Sequence, residues 1–374
     1  MKIGSFEFNL RELAGSMGDF GTLLPLAVGY ITVCRMNPSG LLVMMGLANI
    51  VTGLVYRLPM PIEPMKVLAI VAITQGWSPH KVYTSGIVMG VVWLLMGATS
   101  AMTWVARWTP KTVVTGIQLS LGVLLVVEGL KMASSWWLLG CAAIIITLLF
   151  RRNRYAPAAV DLIILGIVIM AFRGQLADIA SPGLSLPPLT LFDPRQIWPV
   201  LRDAGLAQIP LTAANAVIAT SALISQYWPD RRVTERQLSF NMGVMNLILP
   251  FFGGMPLCHG AGGLAGQYYF GARTGGTNII EGLIEISLGV FLAGNIAAIF
   301  TSFPMAIVGA MMLMVGIGLM KFARDLRPNR DLVPVAATMA GTIVLNMAAG
   351  FAAGLLVHYL LMLIRSPQEA TIAD

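Results

Sequence analysis

The sequence predicts an all-α polytopic membrane protein of fourteen transmembrane elements, built as two inverted copies of seven, with elements 3 and 10 as half-helices. Three observations predict it. Only 11% of the 374 residues are charged and 57% are hydrophobic, whereas a soluble globular chain carries about 25% charged residues. Apolar stretches recur along the whole chain at bilayer length, which is roughly 20 residues for a helix. Short motifs of the first half also return in the second half at a nearly constant spacing.

The same composition excludes other classes. A net charge of +7 accompanies no basic stripe with aromatic platforms, so no nucleic-acid partner is expected. Cys34, Cys141 and Cys258 are scattered and no CxxC occurs, which supports neither a disulfide framework nor a zinc cluster. His80, His259 and His358 are the only histidines, and no HExxH or nucleophile–base motif is present, so an enzyme is not expected. No cofactor is expected beyond a possible coupled proton.

Taken in order, the chain opens with a short amphipathic lead-in, Met1–Leu10, that lacks the apolar core of a signal peptide. The first copy, 1–172, has spans near 14–34, 38–56, 82–105, 112–130, 135–150 and 157–172. Between the second and third of these, 65–75 is apolar but only half a span, about 15 Å at about 1.5 Å per residue. A proline-rich connecting loop covers 173–203. The second copy, 204–366, has spans near 206–226, 237–252, 279–299, 304–320, 332–347 and 349–364, with a second half-span at 260–270. The polar tail after Ile364 is expected to carry no soluble domain.

The repeat is legible in four matches. Met45-Gly-Leu-Ala-Asn-Ile50 returns as Met242-Gly-Val-Met-Asn-Leu247, and Pro59-Met-Pro-Ile62 as Gly254-Met-Pro-Leu257. Pro110 and Gly122 return as Pro304 and Gly316, and Ala158–Leu162 faces Ala352–Leu356. Seven is odd, so the second copy enters the membrane from the opposite side, the inverted-repeat plan of many secondary transporters. With both half-spans counted, basic residues such as Arg57, Arg107, Arg152, Arg231 and Arg324 gather on one side. The positive-inside rule then places both termini in the cytoplasm of a bacterial-type inner membrane.

Paired, interrupted short helices point to a binding site at the bilayer midplane. The first break reads Pro59-Met-Pro-Ile-Glu-Pro-Met-Lys66, the second Gly253-Gly-Met-Pro-Leu-Cys-His-Gly-Ala-Gly-Gly263. Two facing helix N-termini offer free N–H donors and about half a positive charge each, which suits an anion. Lys66 adds a positive charge or pairs with Glu63. His259 and the backbone at Gly260, Ala261 and Gly262 are donor candidates. The first element of each copy is expected to pass beside the half-helices, bringing Asp19, Thr22, Gln208, Thr212 and Asn215. Thr212 and Asn215 share a face, as would Gln208 with Thr212 if Pro210 did not lie between them. Asp19 and Glu63 are ionisable groups inside the membrane, hence candidates for orienting the site or carrying a proton. Glu128 with Lys131 reads as an i, i+3 pair. Asp161 is another buried charge, and Glu281 and Glu285, like charges one turn apart, read as solvated groups near a cytoplasmic helix end, with a proton path as the alternative.

These segments resemble the molybdate transporter family, the branch of the sulfate permease superfamily that lacks the regulatory cytoplasmic domain. The carrying residues are Gly18-Asp-Phe-Gly-Thr22, Pro59–Lys66, Gln208-Ile-Pro-Leu-Thr212 with Asn215–Ala219, and Met255–Gln267 running into Phe270–Gly275. The resemblance implies a secondary transporter of a tetrahedral oxyanion, molybdate or sulfate. It implies a core domain of approximately 12–106 and 204–300 moving against a gate domain of approximately 108–172 and 303–366. Glu63 departs from the family's motif, where glutamine is usual. A same-fold permease for another anion or a nucleobase, or a channel-like conductor, remains the alternative. Expected partners are the oxyanion and the lipid bilayer, with a homodimer as a possible assembly.

Overall fold

The computed structural model describes residues 2–18, 20–99, 101–150, 158–175, 183–296, 303–321, 324, 326 and 331–364. It is mostly helical, and the long helices start and stop where their sequences say they should. Helix Pro38–Tyr56 begins at Asn37, whose side chain accepts from the Gly40 amide with Pro38 in the first turn, and it ends at Arg57 in left-handed conformation, φ 56°. Helix Pro79–Ala98 begins the same way at Ser78. Thr234 and Gln237 form a reciprocal capping box at the start of Glu235–Ile248. Among the described residues, five helical stretches are long and apolar enough to cross a membrane.

The helices pack in pairs. Pro38–Tyr56 lies along Gly276–Phe291, Pro79–Ala98 along Glu235–Ile248, and Lys111–Ala133 along Met305–Met320. Leu332–Val344 packs on Met347–Ile364 and on Lys111–Ala133. Small residues allow this closeness: a Cβ on Gly46 would lie 2.6 Å from the Gly282 carbonyl, and one on Gly316 2.7 Å from the Gly122 carbonyl.

Both half-spans are present as ten-residue helices, Lys66–Gln75 and Ala261–Phe270. The first is apolar on every face after Lys66, and Val67 through Ile73 are all buried. A helix with no polar stripe has to sit inside the protein, and the core is built around this one.

Four boundaries differ from the sequence expectation. The fold is not purely α, because two-residue strands pair at Lys2–Ile3 with Phe6–Glu7 and at Glu63–Pro64 with Leu257–Cys258. The expected span 14–34 is broken, with helix Leu10–Ser16 ending at a turn over Met17 and Gly18 before helix Phe20–Thr32. Gly18 packs on the second half-helix there, a Cβ on Gly266 lying 2.5 Å from its carbonyl. The expected span 82–105 stops at Ala98, and Ala101–Trp108 is a separate short helix. The connecting loop 173–203 is helical from Pro194 onward, and one helical stretch runs to Tyr227 with π-wound segments at Leu201–Gly205 and Ala213–Ala219.

Candidate functional site

The two breaks cross at the centre. Prolines 59, 61 and 64 forbid helix in the first break, so the chain runs extended and pairs antiparallel with the second, Glu63 opposite Cys258 and Pro64 opposite Leu257. Each break is held by an asparagine that bonds both the backbone N–H and the backbone C=O of one residue. Asn246 accepts from the Leu257 amide at 2.8 Å and donates to the Leu257 carbonyl at 2.6 Å. Asn278 accepts from the Met60 amide at 2.9 Å and donates to the Met60 carbonyl at 2.6 Å. Both asparagines are fully buried. Asn246 lay in the repeated Met-Gly-x-x-Asn motif and so had a sequence signal; Asn278 had none.

The first half-helix N-terminus is capped by Gln208. Its Oε1 accepts from the amides of Val67 at 2.8 Å and Leu68 at 3.2 Å, two of the donors every helix start leaves unfilled. Its Nε2 donates to Thr212 Oγ1, holding the amide in that orientation. Gln208 thus caps the half-helix, and, against expectation, Pro210 does not separate it from Thr212. The helix continues through Pro210 into a π-wound segment.

The second half-helix N-terminus faces a carboxylate. Glu63, 1% exposed, reaches out of the first break and lodges against the start of the second half-helix. A Cβ on Gly260 would sit 2.6 Å from Glu63 Oε2, and a Cβ on Gly263 would collide with Glu63 Oε1. These two glycines are therefore what admits the carboxylate. On its other side Glu63 Oε2 accepts from Lys66 Nζ at 2.8 Å. Glu63 is thus the joint between the half-helices, touching the start of one and the first residue of the other. None of the amides of Ala261, Gly262 and Gly263 meets an acceptor among the described residues. Gly262 is exposed, and a Cβ there would meet nothing within 4 Å. The open space of the site lies beside it.

His259, expected as an oxyanion donor, lies in the framework of the second break. It is fully buried, with Nδ1 3.2 Å from the Pro61 carbonyl and Nε2 3.1 Å from Asn241 Oδ1, so both ring nitrogens already have partners. Asn215 sits in the π-wound Ala213–Ala219 segment, which packs against the second half-helix. Thr22 belongs to helix Phe20–Thr32, which packs on the first half-helix and on Glu63–Pro64. Asp19 lies outside the described residues.

The other charges sort clearly. Lys131 Nζ lies 3.7 Å from Glu128 Oε2. Glu12, which carried no sequence signal, accepts from the amides of Arg273 and Thr274, each at 3.1 Å, and so caps the approach to helix Gly276–Phe291. Glu281 and Glu285 are not solvated as expected: they are 1% and 5% exposed. Their helix runs from Gly276 to Phe291, and the turn carrying them is sealed by helix Pro38–Tyr56. A cavity of about 410 Å³ between Pro38–Tyr56 and Glu235–Ile248 is lined by Met44, Leu47, Val51, Val244, Ile248 and other mainly apolar groups. Its lining suits acyl chains and not an anion.

A family model described as molybdate transporters of the MFS superfamily matches residues 11–125 and 201–319. Molybdate transporter 2 of Arabidopsis thaliana is 32% identical, over 94% of this chain and 87% of its own. Molybdate transporter 1 of Chlamydomonas reinhardtii is 28% identical, over 92% and 90%. Among solved structures, the transmembrane domain of a cyanobacterium bicarbonate transporter, BicA, superposes with a TM-score of 0.65 at 16% identity, over 92% of this chain and 97% of that one. The anion transporter Slc26a9 of mouse, in an inward-facing state, gives 0.72 at 12% identity, over 97% and 69%. At those identities the structures speak for a shared fold.

Proposed function

This chain belongs to the molybdate transporter family, carriers and not enzymes, and from that premise we propose that it moves a tetrahedral oxyanion, molybdate or else sulfate, by alternating access. The carrying observation is the meeting of both half-helix starts at Glu63, between Lys66 and the amides of 261–263. An oxyanion entering beside Gly262 finds free backbone donors, the positive end of a helix and the Lys66 ammonium. In the empty site Glu63 occupies that charge as a tethered anion. The incoming oxyanion takes over Lys66, and Asn215 completes the shell from a neighbouring helix. Asp19 and Glu63 orient the site.

The two-copy plan supports this reading. At the offset of 195 residues that relates the two breaks, Glu63 maps onto Cys258, its own partner in the strand pairing. The same offset carries the pair Pro38–Tyr56 with Gly276–Phe291 onto the pair Glu235–Ile248 with Pro79–Ala98. We take the fourteen elements as two inverted sevens. The half-helices, the four helices just named and the first element of each copy form the core, approximately 12–106 and 204–300, and approximately 108–172 with 303–366 form the gate. Both termini then face the cytoplasm, and a homodimer in the bacterial inner membrane is the assembly we expect.

The test is uptake of labelled molybdate into proteoliposomes, with sulfate, bicarbonate and uracil as competitors. Saturable uptake blocked by sulfate is the expected result. Absence of saturable oxyanion uptake, or competition by uracil alone, overturns the reading.

A further inference from the structure

We propose that Glu285 is a proton-binding site wired to the first break, and that its proton is the one coupled to anion movement. Glu285 sits near the middle of helix Gly276–Phe291, which is buried against Pro38–Tyr56. Its Oε2 accepts from Asn49 Nδ2 at 2.9 Å, and its Oε1 is buried with no hydrogen-bond partner. No cation lies within ion-pair distance of it among the described residues. A carboxylate in such a place is strongly disfavoured against the neutral acid. A protonated Glu285 removes the charge, and Oε1 is the atom that forms the O–H bond.

Among the described residues the surroundings supply no cation to Glu285. From Pro38–Tyr56 the facing polar group is Asn49, and Tyr56 donates elsewhere, to the Gln237 carbonyl. From Leu10–Ser16, Glu12 is taken up by the amides of Arg273 and Thr274, and Arg11 is exposed. Glu7, on the strand near the helix start, pairs with Lys2. Arg273 lies over the Tyr268 ring at 3.7 Å. Glu281, one turn earlier on the same helix, receives Gln267 Nε2 of the second half-helix at 3.4 Å. A like charge there further favours the acid form of Glu285.

The connection to the anion site is a continuous chain of hydrogen bonds. Asn49 donates to Glu285 and accepts from Asn278 at 2.8 Å, and Asn278 grips the Met60 peptide three residues before Glu63. Asn49 is the repeat counterpart of Asn246, which grips its own break directly. In the first copy that grip has passed to Asn278, and Asn49 is turned to Glu285. Gain or loss of the proton changes what Asn49 donates to, and so bears on the strand that carries Glu63. In each cycle Oε1 takes a proton from water on one face and returns it to water on the other.

The proposal uses the oxyanion reading only for the substrate, since protonation of Glu285 is measured without one. In the purified full-length protein, infrared difference spectra across a pH step should show a protonated-carboxyl carbonyl band that is absent in Glu285→Gln. Asn49→Leu, which keeps the carboxyl and removes its donor, should move the pH at which that band appears. In proteoliposomes an imposed proton gradient should speed molybdate uptake by wild type at least roughly fivefold, the lower end of typical coupling between two sites. Glu285→Gln should lose that acceleration while keeping molybdate–molybdate exchange. A band unchanged in Glu285→Gln, or gradient-driven uptake unchanged in it, overturns the proposal. If wild type moves no molybdate, the oxyanion reading falls while the infrared band still decides Glu285.

Discussion

The two half-helices have the same length and the same kind of entry strand, yet their N-termini are completed by opposite chemistry. The first, led in by prolines, has its Val67 and Leu68 amides satisfied by a neutral amide oxygen from Gln208. The second, led in by glycines, faces the Glu63 carboxylate, and its own amides stay open. One end is closed by hydrogen bonding and the other held by charge. A neutral cap built into the framework is hard to displace, whereas a tethered anion yields to a better one. Under the proposed function, substrate capture falls to the second half-helix and scaffolding to the first.

The largest expected effect comes from Lys66→Ala, which leaves Glu63 buried without its cation. Breaking a buried pair this way costs about 3–5 kcal/mol, read as a fall in thermal midpoint, and oxyanion binding should vanish with it. The double variant Lys66→Met with Glu63→Gln should recover most of the midpoint and none of the binding. Full recovery of binding would show that charge does not hold the second end.

Next come the glycines that admit the carboxylate. Gly263→Ala drives a methyl into Glu63 Oε1 and should cost about 1–3 kcal/mol as overpacking, with molybdate affinity down at least tenfold. Gly262→Ala faces open space and should leave the midpoint unchanged. Equal effects of the two, by thermal unfolding and labelled-molybdate binding, would erase the assigned role of the Gly260–Gly263 surface.

Gln208→Ala orphans two buried amides and should cost about 1–3 kcal/mol, weakening binding only through the loosened first half-helix. Loss of binding with no change in midpoint would place Gln208 on the substrate instead. Glu63→Gln is the mildest change. It keeps the shape, frees Lys66 and should tighten molybdate binding roughly tenfold, about 1.4 kcal/mol, as measured by equilibrium titration. Weaker binding would make Glu63 a ligand and not a competitor.

Much of this arrangement was legible in the chain. Three prolines in six residues can only break a helix, and ten apolar residues can only half-cross a bilayer, so Lys66–Gln75 and Ala261–Phe270 followed from backbone chemistry. The Lys66–Glu63 pair was legible as an i, i+3 neighbour. What the chain did not show is which partners distant in sequence each polar residue meets: Gln208 on Val67 and His259 on Pro61. Glu281 and Glu285 read as solvated because they lie near a cytoplasmic helix end, and only the helix packed across them shows otherwise.

The sequence by itself determined the membrane class, the half-helices, the breaks between them and the repeat, because each rests on local rules of length, period and backbone freedom. Tertiary structure alone decided which donors stay open. A buried polar group must be satisfied by whatever lies beside it, and its neighbours here come from residues more than a hundred positions away: Gln208 on Val67, Asn278 on Met60, Gly263 under Glu63.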